Sequence, residues 1–228
     1  MAISELDQQW PTIVNEPNPV AAELVDGLLT ASIGCDPTDI RRELDHAAAL
    51  LGLGRCLDEV LLPAMRQIGT WWARGCFDIE TERLTSEIVR AWLDARALQA
   101  PEPGPAAVLV LACGPAERHS IGLEALGVLL RHRGRSCRML GPRTSIRSIT
   151  AAVAANQPSG VIVVSHNPTG RLAATQALQA VAATTPHLFF AGASFATAPL
   201  RRDVPGIYLG VSIQDACTRI IDRCTDGV

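Results

Sequence analysis

The sequence predicts a helical domain followed by a parallel α/β domain, and three observations carry this prediction. From Val20 to about Leu98, apolar residues recur at helical spacing without a strand pattern. The stretch Pro101-Glu102-Pro103-Gly104-Pro105 then interrupts the helices, because proline lacks an amide donor and favours an extended spacer. After it, apolar runs of strand length alternate with helical stretches, which is typical of a parallel, doubly wound sheet.

The helical part reads as four helices joined by short connections. The first surrounds residues 21–29, and Asp36, followed by a proline, is a typical N-cap for the second. The third begins near Leu57 and ends near Gly75, and Asp78 caps the fourth. Short connections favour antiparallel neighbours, so we expect a four-helix bundle.

In the α/β part, five strands are expected to form a Rossmann-like sheet with the flavodoxin-like strand order. The strand candidates are 106–112, 136–140, 160–165, 187–191 and 206–209. The helices between and after them are expected at 119–133, 144–156, 171–183, 195–199 and 212–224. The predicted segments are therefore an arm (1–17), a helical bundle (18–99), a linker (100–105) and an α/β domain (106–228).

Composition excludes several classes of protein. The formal net charge of -3 argues against a nucleic-acid binder as a whole. The seven cysteines are odd in number and include no Cys-x-x-Cys pair, which fits reduced thiols better than disulfides or a zinc site. Neither a signal peptide nor a membrane-spanning stretch is apparent. We therefore expect a cytoplasmic protein.

One loop carries a glutamate and a histidine at a spacing that suits metal binding or proton transfer. Glu117-Arg118-His119-Ser120-Ile121-Gly122 lies between the first predicted strand and its helix, where open α/β sheets bind ligands. A histidine there can coordinate a metal or move protons, and Glu117 can accept a hydrogen bond from its second ring nitrogen. A solvent-exposed loop histidine without a role is the alternative.

This loop resembles the Asp-x-His-x-x-Gly signature of cobalamin-binding domains, in a Glu-Arg-His variant. The resemblance implies that His119 is the lower axial ligand of cobalt and replaces the benzimidazole of the cofactor. It also implies that Glu117, Arg118, Ser120 and Gly122 line the cofactor site.

Three further marks of that family follow the later strands. Ser165, with Thr169 as a second candidate, follows the third strand, where the family places a serine near the cofactor tail. Ala191 and Gly192 stand where the family has a pair of glycines, so one glycine is replaced. Gly210 follows the fifth strand as in the closing turn of the fold. The three marks occur in the family's order.

The helical part resembles the bundle of light-sensing cobalamin-dependent regulators. Trp71 and Trp72 end one helix, and Glu82 and Arg83 follow on the next. In the family, a tryptophan and a Glu-His pair at such positions face the upper side of the cofactor. Arg83 replaces that histidine, and because arginine stays protonated it cannot ligate cobalt. Core packing of the tryptophans and a solvated face at Glu82 and Arg83 are the alternatives.

The resemblance implies a photoreceptor or sensor rather than an enzyme. No winged helix-turn-helix domain precedes the bundle, so direct nucleic-acid binding is not expected. The resemblance further implies that both domains hold adenosylcobalamin, that light breaks its cobalt–carbon bond, and that the domains then shift about the linker. Output then passes to an unidentified protein effector or through a change of homo-oligomer; no membrane partner is expected.

Other functions remain open at this stage. Photocobilins, which the chain also resembles, bind a linear tetrapyrrole such as biliverdin beside cobalamin. Trp71 and Trp72 suit a flat chromophore, and Arg83 or Arg90 can pair with its propionates. A corrinoid methyl carrier of a methyltransferase system and a cobalamin-sensing antirepressor that binds a transcription factor are the competing interpretations.

Two further features are weaker. His166 either lines the ligand cleft or is only a loop residue. The arginines around the end of the first α/β helix are interpreted as a solvated face; they are Arg131, Arg133, Arg135 and Arg138.

Overall fold

The computed structural model describes residues 18–76, 78–104 and 108–225. The predicted arm, residues 1–17, and the start of the first predicted strand, residues 106–107, lie outside these ranges.

The helical part begins with two capped helices. Helices α1 (Pro19–Ile33) and α2 (Pro37–Leu51) are joined by a short turn. The Asp36 carboxylate accepts hydrogen bonds from the first turn of α2, as its sequence position predicts. Asp78 likewise caps α5 (Ile79–Leu98) by accepting from the amide of Thr81.

Between α2 and α5 the chain forms one long helical stretch. It consists of a short α3 (Leu53–Arg55), a π-helical turn (Cys56–Leu61) and α4 (Leu62–Ala73). The helix therefore starts earlier than predicted and contains a wide turn, of a kind that often occurs at functional sites. Gly75, with φ of 69°, follows the end of α4 as expected.

The α/β part is a five-stranded parallel sheet in the order β2-β1-β3-β4-β5. This confirms the predicted flavodoxin-like arrangement. The strands are β1 (Leu109–Cys113), β2 (Cys137–Gly141), β3 (Gly160–Val164), β4 (His187–Ala191) and β5 (Ile207–Tyr208). The helices are α6 (Ile121–His132), α7 (Ile146–Asn156), α8 (Arg171–Val181) and α9 (Ile213–Thr225).

One predicted helix is wrong, and so is one of the four arginines of the predicted solvated face. Instead of a helix at 195–199, two 3₁₀ turns are present, Ala193–Phe195 and Ala198–Arg201. Thr197 is extended between them, and Pro199 lacks the amide hydrogen that would bond to the Phe195 carbonyl in a continuous α-helix. Arg135 is buried and donates to the carbonyl of Ile221, so it is not part of a solvated face.

The two faces of the sheet are covered by different helices because successive strand residues point to opposite sides. Leu111, Ile162 and Phe189 face α6 and α9 in a core that continues into the helical bundle. Val163 and Phe190 belong to the core on the other face, with residues of α7 and α8. The bundle is thus packed on the α6 and α9 side of the sheet.

Within the described ranges, no helix combines the length and apolar character needed to cross a bilayer.

Candidate functional site

The site lies at the carboxyl edge of the sheet, between β1 and β3. The connections after these strands leave in opposite directions, because β2 lies on one side of β1 and β4 lies beyond β3. Such a switch point forms a crevice in which open α/β sheets bind ligands. The two loops are tied together where the Gly114 amide donates to the carbonyl of Val164, at 2.9 Å.

Glu117 is the buried centre of these loops. Its side chain is only 1% exposed, and its carboxylate accepts five hydrogen bonds. Oε1 accepts from the amides of Arg118 and His119, each at 2.8 Å, and contacts His119 Nδ1 at 2.7 Å. Oε2 accepts from the amides of His166 and, at 3.0 Å, Asn167. One carboxylate therefore holds both loops in place.

His119 presents a free ring nitrogen to solvent. Its side chain is 79% exposed, whereas Nδ1 is engaged by Glu117. Because an ionised carboxylate only accepts hydrogen bonds, Nδ1 carries a proton, and in the neutral ring Nε2 keeps its lone pair. This is the contact that the Glu-x-His spacing predicts.

Electrostatics reinforces the arrangement. Burial opposes ionisation of Glu117, but the hydrogen bonds from His119, His166 and Asn167 outweigh it and hold its pKa well below the usual range. The same contact with Glu117 raises the pKa of His119. Glu117 is thus a fixed anion that makes the neighbouring imidazole more basic.

The structure places His166 beside His119. The two ring centroids are 6.4 Å apart, with the rings nearly perpendicular at 83°. The Ala193 amide donates to His166 Nδ1 at 3.4 Å. Restricted solvation by the surrounding protein lowers the pKa of His166. Of the two interpretations that the sequence left open, a residue lining the crevice is the one that fits.

Ser165 and Gly192 meet directly below the crevice. Ser165 is fully buried, and its Oγ lies 3.1 Å from that of Ser194. Gly192 has φ of 107°, and a Cβ there would lie 2.2 Å from the Ser165 carbonyl oxygen. A glycine is therefore required at 192 by the packing of the chain on itself.

The other predicted residues of the sheet loops lie around this pair. Ala191 ends β4 and is half-buried, and Thr169 is exposed and bonded to Asn167. Ser120 is buried immediately before α6. Gly210 has φ of 86°, and no atom lies within 4 Å of the position its Cβ would take.

Helices α4 and α5 approach the same edge. The Leu62 side chain lies 3.9 Å from the Cβ position of Gly122, at the start of α6. The charge of Arg66 contributes to the lowered pKa of His166, and the charge of Glu82 contributes to the raised pKa of His119. The structure therefore brings Glu82, but not an imidazole of the bundle, near His119.

The two tryptophans differ in their environments. Trp71 is half-buried against the core, whereas Trp72 is 47% exposed near the end of α4. Arg83 is exposed on α5. Trp71 thus packs partly on the core, and Trp72 and Arg83 are accessible to a ligand.

Two residues with long-range roles were missed by sequence reasoning. Asp58, in the π-helical turn, binds the N-terminus of α9, and Arg66 lies near both Asp58 and His166. The α9 partners of Asp58 and the His166 neighbour of Arg66 are distant in sequence, so no local pattern identifies them.

Comparison with known proteins finds a family model for the helical part and related repressors. The model of the B12 binding domain matches residues 24–97, which contain α1 to α5 almost completely. The chain is 34% identical over 136 residues to the HTH-type transcriptional repressor CarH of Myxococcus xanthus, covering 60% of this chain and 45% of that protein. These matches support a cobalamin-binding domain family for this chain.

A second relative and a solved structure also resemble this cobalamin-binding protein. It is 27% identical over 162 residues to the HTH-type transcriptional repressor CarA of Myxococcus xanthus, covering 71% of this chain and 54% of that protein. The chain thus spans about half the length of these curated relatives. A monomethylamine corrinoid protein of Methanosarcina barkeri shares the fold, with a TM-score of 0.67 and 12% identity, over 88% of this chain and 98% of that one.

The donor chemistry of the site fits a corrinoid. Among the described residues, no group of three or more His, Cys, Asp or Glu side chains is placed to hold a bare metal ion. A corrin ring supplies four nitrogen ligands itself, so the protein needs to offer only one axial donor. His119, with Nδ1 bound and Nε2 exposed, offers that donor.

Proposed function

We propose that this cobalamin-binding protein is a light sensor that binds adenosylcobalamin base-off, with His119 as the lower axial ligand. The observation that carries the proposal is the exposed side chain of His119, whose Nδ1 is held by Glu117 so that Nε2 is the nitrogen left for a ligand. It stands at the sheet edge, beneath helices that match the B12 binding domain. When bound, adenosylcobalamin supplies a cobalt–carbon bond that light breaks.

In this proposal Glu117 prepares His119 for its role. The buried carboxylate keeps the proton on Nδ1, so the Nε2 lone pair faces the ligand without a change of tautomer. It also fixes the ring direction, because the amides of His119 and Arg118 are bound by the same oxygen. The residue thereby orients the ligand and increases its basicity.

The bundle carries the response to light. Trp72 offers a flat, half-exposed surface on α4 to the upper side of the cofactor, and Glu82 approaches from α5. Loss of the adenosyl group removes a packing partner of Trp72, so α4 and α5 shift relative to the sheet. The shift changes the surface presented to a protein effector or to a second copy of the chain.

A sensor is favoured over a methyl carrier and over an enzyme. Both curated relatives are transcriptional repressors by name, and Trp72 and Glu82 follow the pattern of the light-sensing branch. All seven cysteines are free thiols, which suits the reducing cytoplasm that we propose as its location.

Arg83 gives the upper side a different chemistry from that branch. Residues 18–99 contain a single histidine, His46, exposed on α2. We therefore expect that no second histidine is bound after illumination. The exposed Arg83 can instead pair with a propionate of a second chromophore such as biliverdin, whereas Arg90 is already engaged by Glu87 at 2.7 Å.

Absorbance spectra test the proposal. Protein incubated in the dark with adenosylcobalamin and desalted should retain the cofactor, and green light should change its spectrum irreversibly. Trp72→Phe serves as the matched aromatic control for Trp72→Ala, which should retain less cofactor. An added far-red band with biliverdin, reduced in Arg83→Gln, supports a second chromophore. Retained cofactor with no response to light would contradict the sensor and favour a carrier.

A further inference from the structure

Asp58 connects the helical bundle to the end of the sheet domain. Ser212 Oγ donates to its Oδ2 at 2.8 Å, the Ile213 amide to Oδ1 at 2.5 Å and the Gln214 amide to Oδ2 at 3.0 Å. The first amides of a helix lack partners within the helix and carry partial positive charge. A carboxylate more than 150 residues away in sequence therefore supplies the N-terminal cap of α9.

The capped end of α9 lies at the carboxyl edge of the sheet. It follows β5 and Gly210 directly, and α9 packs beside α6, whose N-terminus follows His119. Ser212 completes the cap by accepting from the Asp215 amide at 3.1 Å. The contact of Asp58 thus reaches the same edge of the sheet that carries His119.

The helical stretch that bears Asp58 continues over that edge. Leu62 approaches Gly122, Arg66 lies near His166, and Trp72 ends the stretch. Asp58 lies within the π-helical turn, which immediately precedes α4, so the turn sets the rotation of these residues relative to Asp58. The N-terminal end of this stretch is hydrogen-bonded to the sheet domain, whereas Trp72 near its other end is half-exposed.

The helical stretch from Asp58 to Trp72 is therefore hydrogen-bonded to the sheet domain at its Asp58 end, and a tilt there moves the Trp72 end. Trp72 follows Asp58 by 14 positions, which corresponds to roughly 21 Å along a helix. A tilt of about 10° around Asp58 would move Trp72 by roughly 4 Å on that length. Small changes at the cap would therefore alter the distance between the bundle and His119.

We propose that Asp58 is a positioning residue: its bond to the α9 N-terminus holds α4 over the His119 edge and thereby sets the affinity for cobalamin. The inference rests on the proposed cobalamin binding at His119. What it adds is that Asp58, which is hydrogen-bonded to α9, controls the affinity for a ligand bound at a separate place, His119.

The test compares two helix-capping aspartates. Asp58→Asn replaces one accepting oxygen by a donor, so at least one of the three bonds is lost. Asp36→Asn is the matched control, because Asp36 caps α2 locally within the bundle. Two quantities are measured: hydrogen exchange of the Ile213 and Gln214 amides, and the dissociation constant for hydroxocobalamin by absorbance titration.

In Asp58→Asn, exchange at these two amides should be faster by roughly tenfold, since a bond to a charged acceptor is lost. The dissociation constant should rise by roughly five- to tenfold, at the low end of typical coupling between sites. The spectrum at saturation should equal that of the wild type, because His119 is untouched. Asp36→Asn should change neither quantity, and Asp58→Glu should recover part of the affinity.

Faster exchange with a dissociation constant within about twofold of wild type would overturn the proposal and leave Asp58 as a helix cap only. Equal weakening in Asp36→Asn would overturn it too, by pointing to general stability. If Asp58→Asn does not fold, Asp58→Glu carries the same comparison with a smaller effect. Failure of the wild type to bind cobalamin would instead overturn the proposed function. The titration of the wild type alone distinguishes this outcome from failure of the Asp58 proposal.

Discussion

Replacing Glu117 by glutamine should destabilise the protein far more than a single side-chain change at the surface. The substitution keeps the size of the side chain but turns one accepting oxygen into a donor. Because Oε1 serves three donors on the His119 side, the new amide nitrogen would face the amides of His166 and Asn167. The side chain is 1% exposed, so water cannot replace the lost acceptor.

The expected loss of stability follows from the unpaired amides of His166 and Asn167. A buried donor left without an acceptor costs about 1–3 kcal/mol, so two of them cost about 2–6 kcal/mol. Loss of the charge near the imidazole of His119 adds to this, but that ring is exposed and its contribution is screened. We therefore expect the free energy of unfolding to fall by about 4 kcal/mol in Glu117→Gln.

Urea unfolding followed by circular dichroism measures this loss. Glu124→Gln is the control, because Glu124 lies on α6 near the site but only approaches Arg90 at 3.7 Å. That variant should lose no more than about 1 kcal/mol. A loss below about 1 kcal/mol in Glu117→Gln would refute the reasoning, since it would mean that the two loops do not depend on this carboxylate.

Further predictions concern the glycine below the crevice and the response to pH. Gly192→Ala should lower the free energy of unfolding by about 2–6 kcal/mol, because its Cβ would overlap Ser165 and strain the backbone. Gly210→Ala, where a Cβ has open space, should lower it by about 1–2 kcal/mol. Equal losses of the two variants in urea unfolding would contradict this. Glu117, with its pKa held below the usual 4.5, adds stability that is present above pH 4.5 and lost as pH falls further, so the urea midpoint should drop less steeply below pH 4.5 in Glu117→Gln than in wild type. His119, with its pKa raised above 6.5, adds stability that is lost as pH rises through the raised value, so the midpoint should be flatter above pH 6.5 in His119→Ala.

The features that sequence reasoning located are local or periodic. Alternating apolar runs were sufficient for the strand order, because parallel strands separated by helices have few alternative arrangements. The contact between Glu117 and His119 was accessible because the two residues are neighbours in one loop. Asp36 and Asp78 could be assigned as N-caps for the same reason.

The features that it missed depend on residues far apart in the chain. The partners of Asp58 follow it by more than 150 residues, and the π-helical turn that contains it has no apolar period of its own. The helix expected at 195–199 is absent because Pro199 has no amide hydrogen to continue a helix from Phe195, so the chain forms two 3₁₀ turns instead. Arg135 resembled its exposed neighbours in sequence, yet the fold buries it against α9.

The central claim is that a nitrogen of His119 binds the cobalt of cobalamin. Electron paramagnetic resonance of the protein loaded with cobalamin and reduced to the Co(II) state tests it directly, because the axial nitrogen splits each cobalt line. In protein grown with ¹⁵N-histidine, the account predicts that the triplet splitting of ¹⁴N becomes the doublet of ¹⁵N, and that His119→Ala shows no splitting from histidine. A triplet that persists in the labelled protein would mean that the benzimidazole of the cofactor remains bound, and would contradict the account.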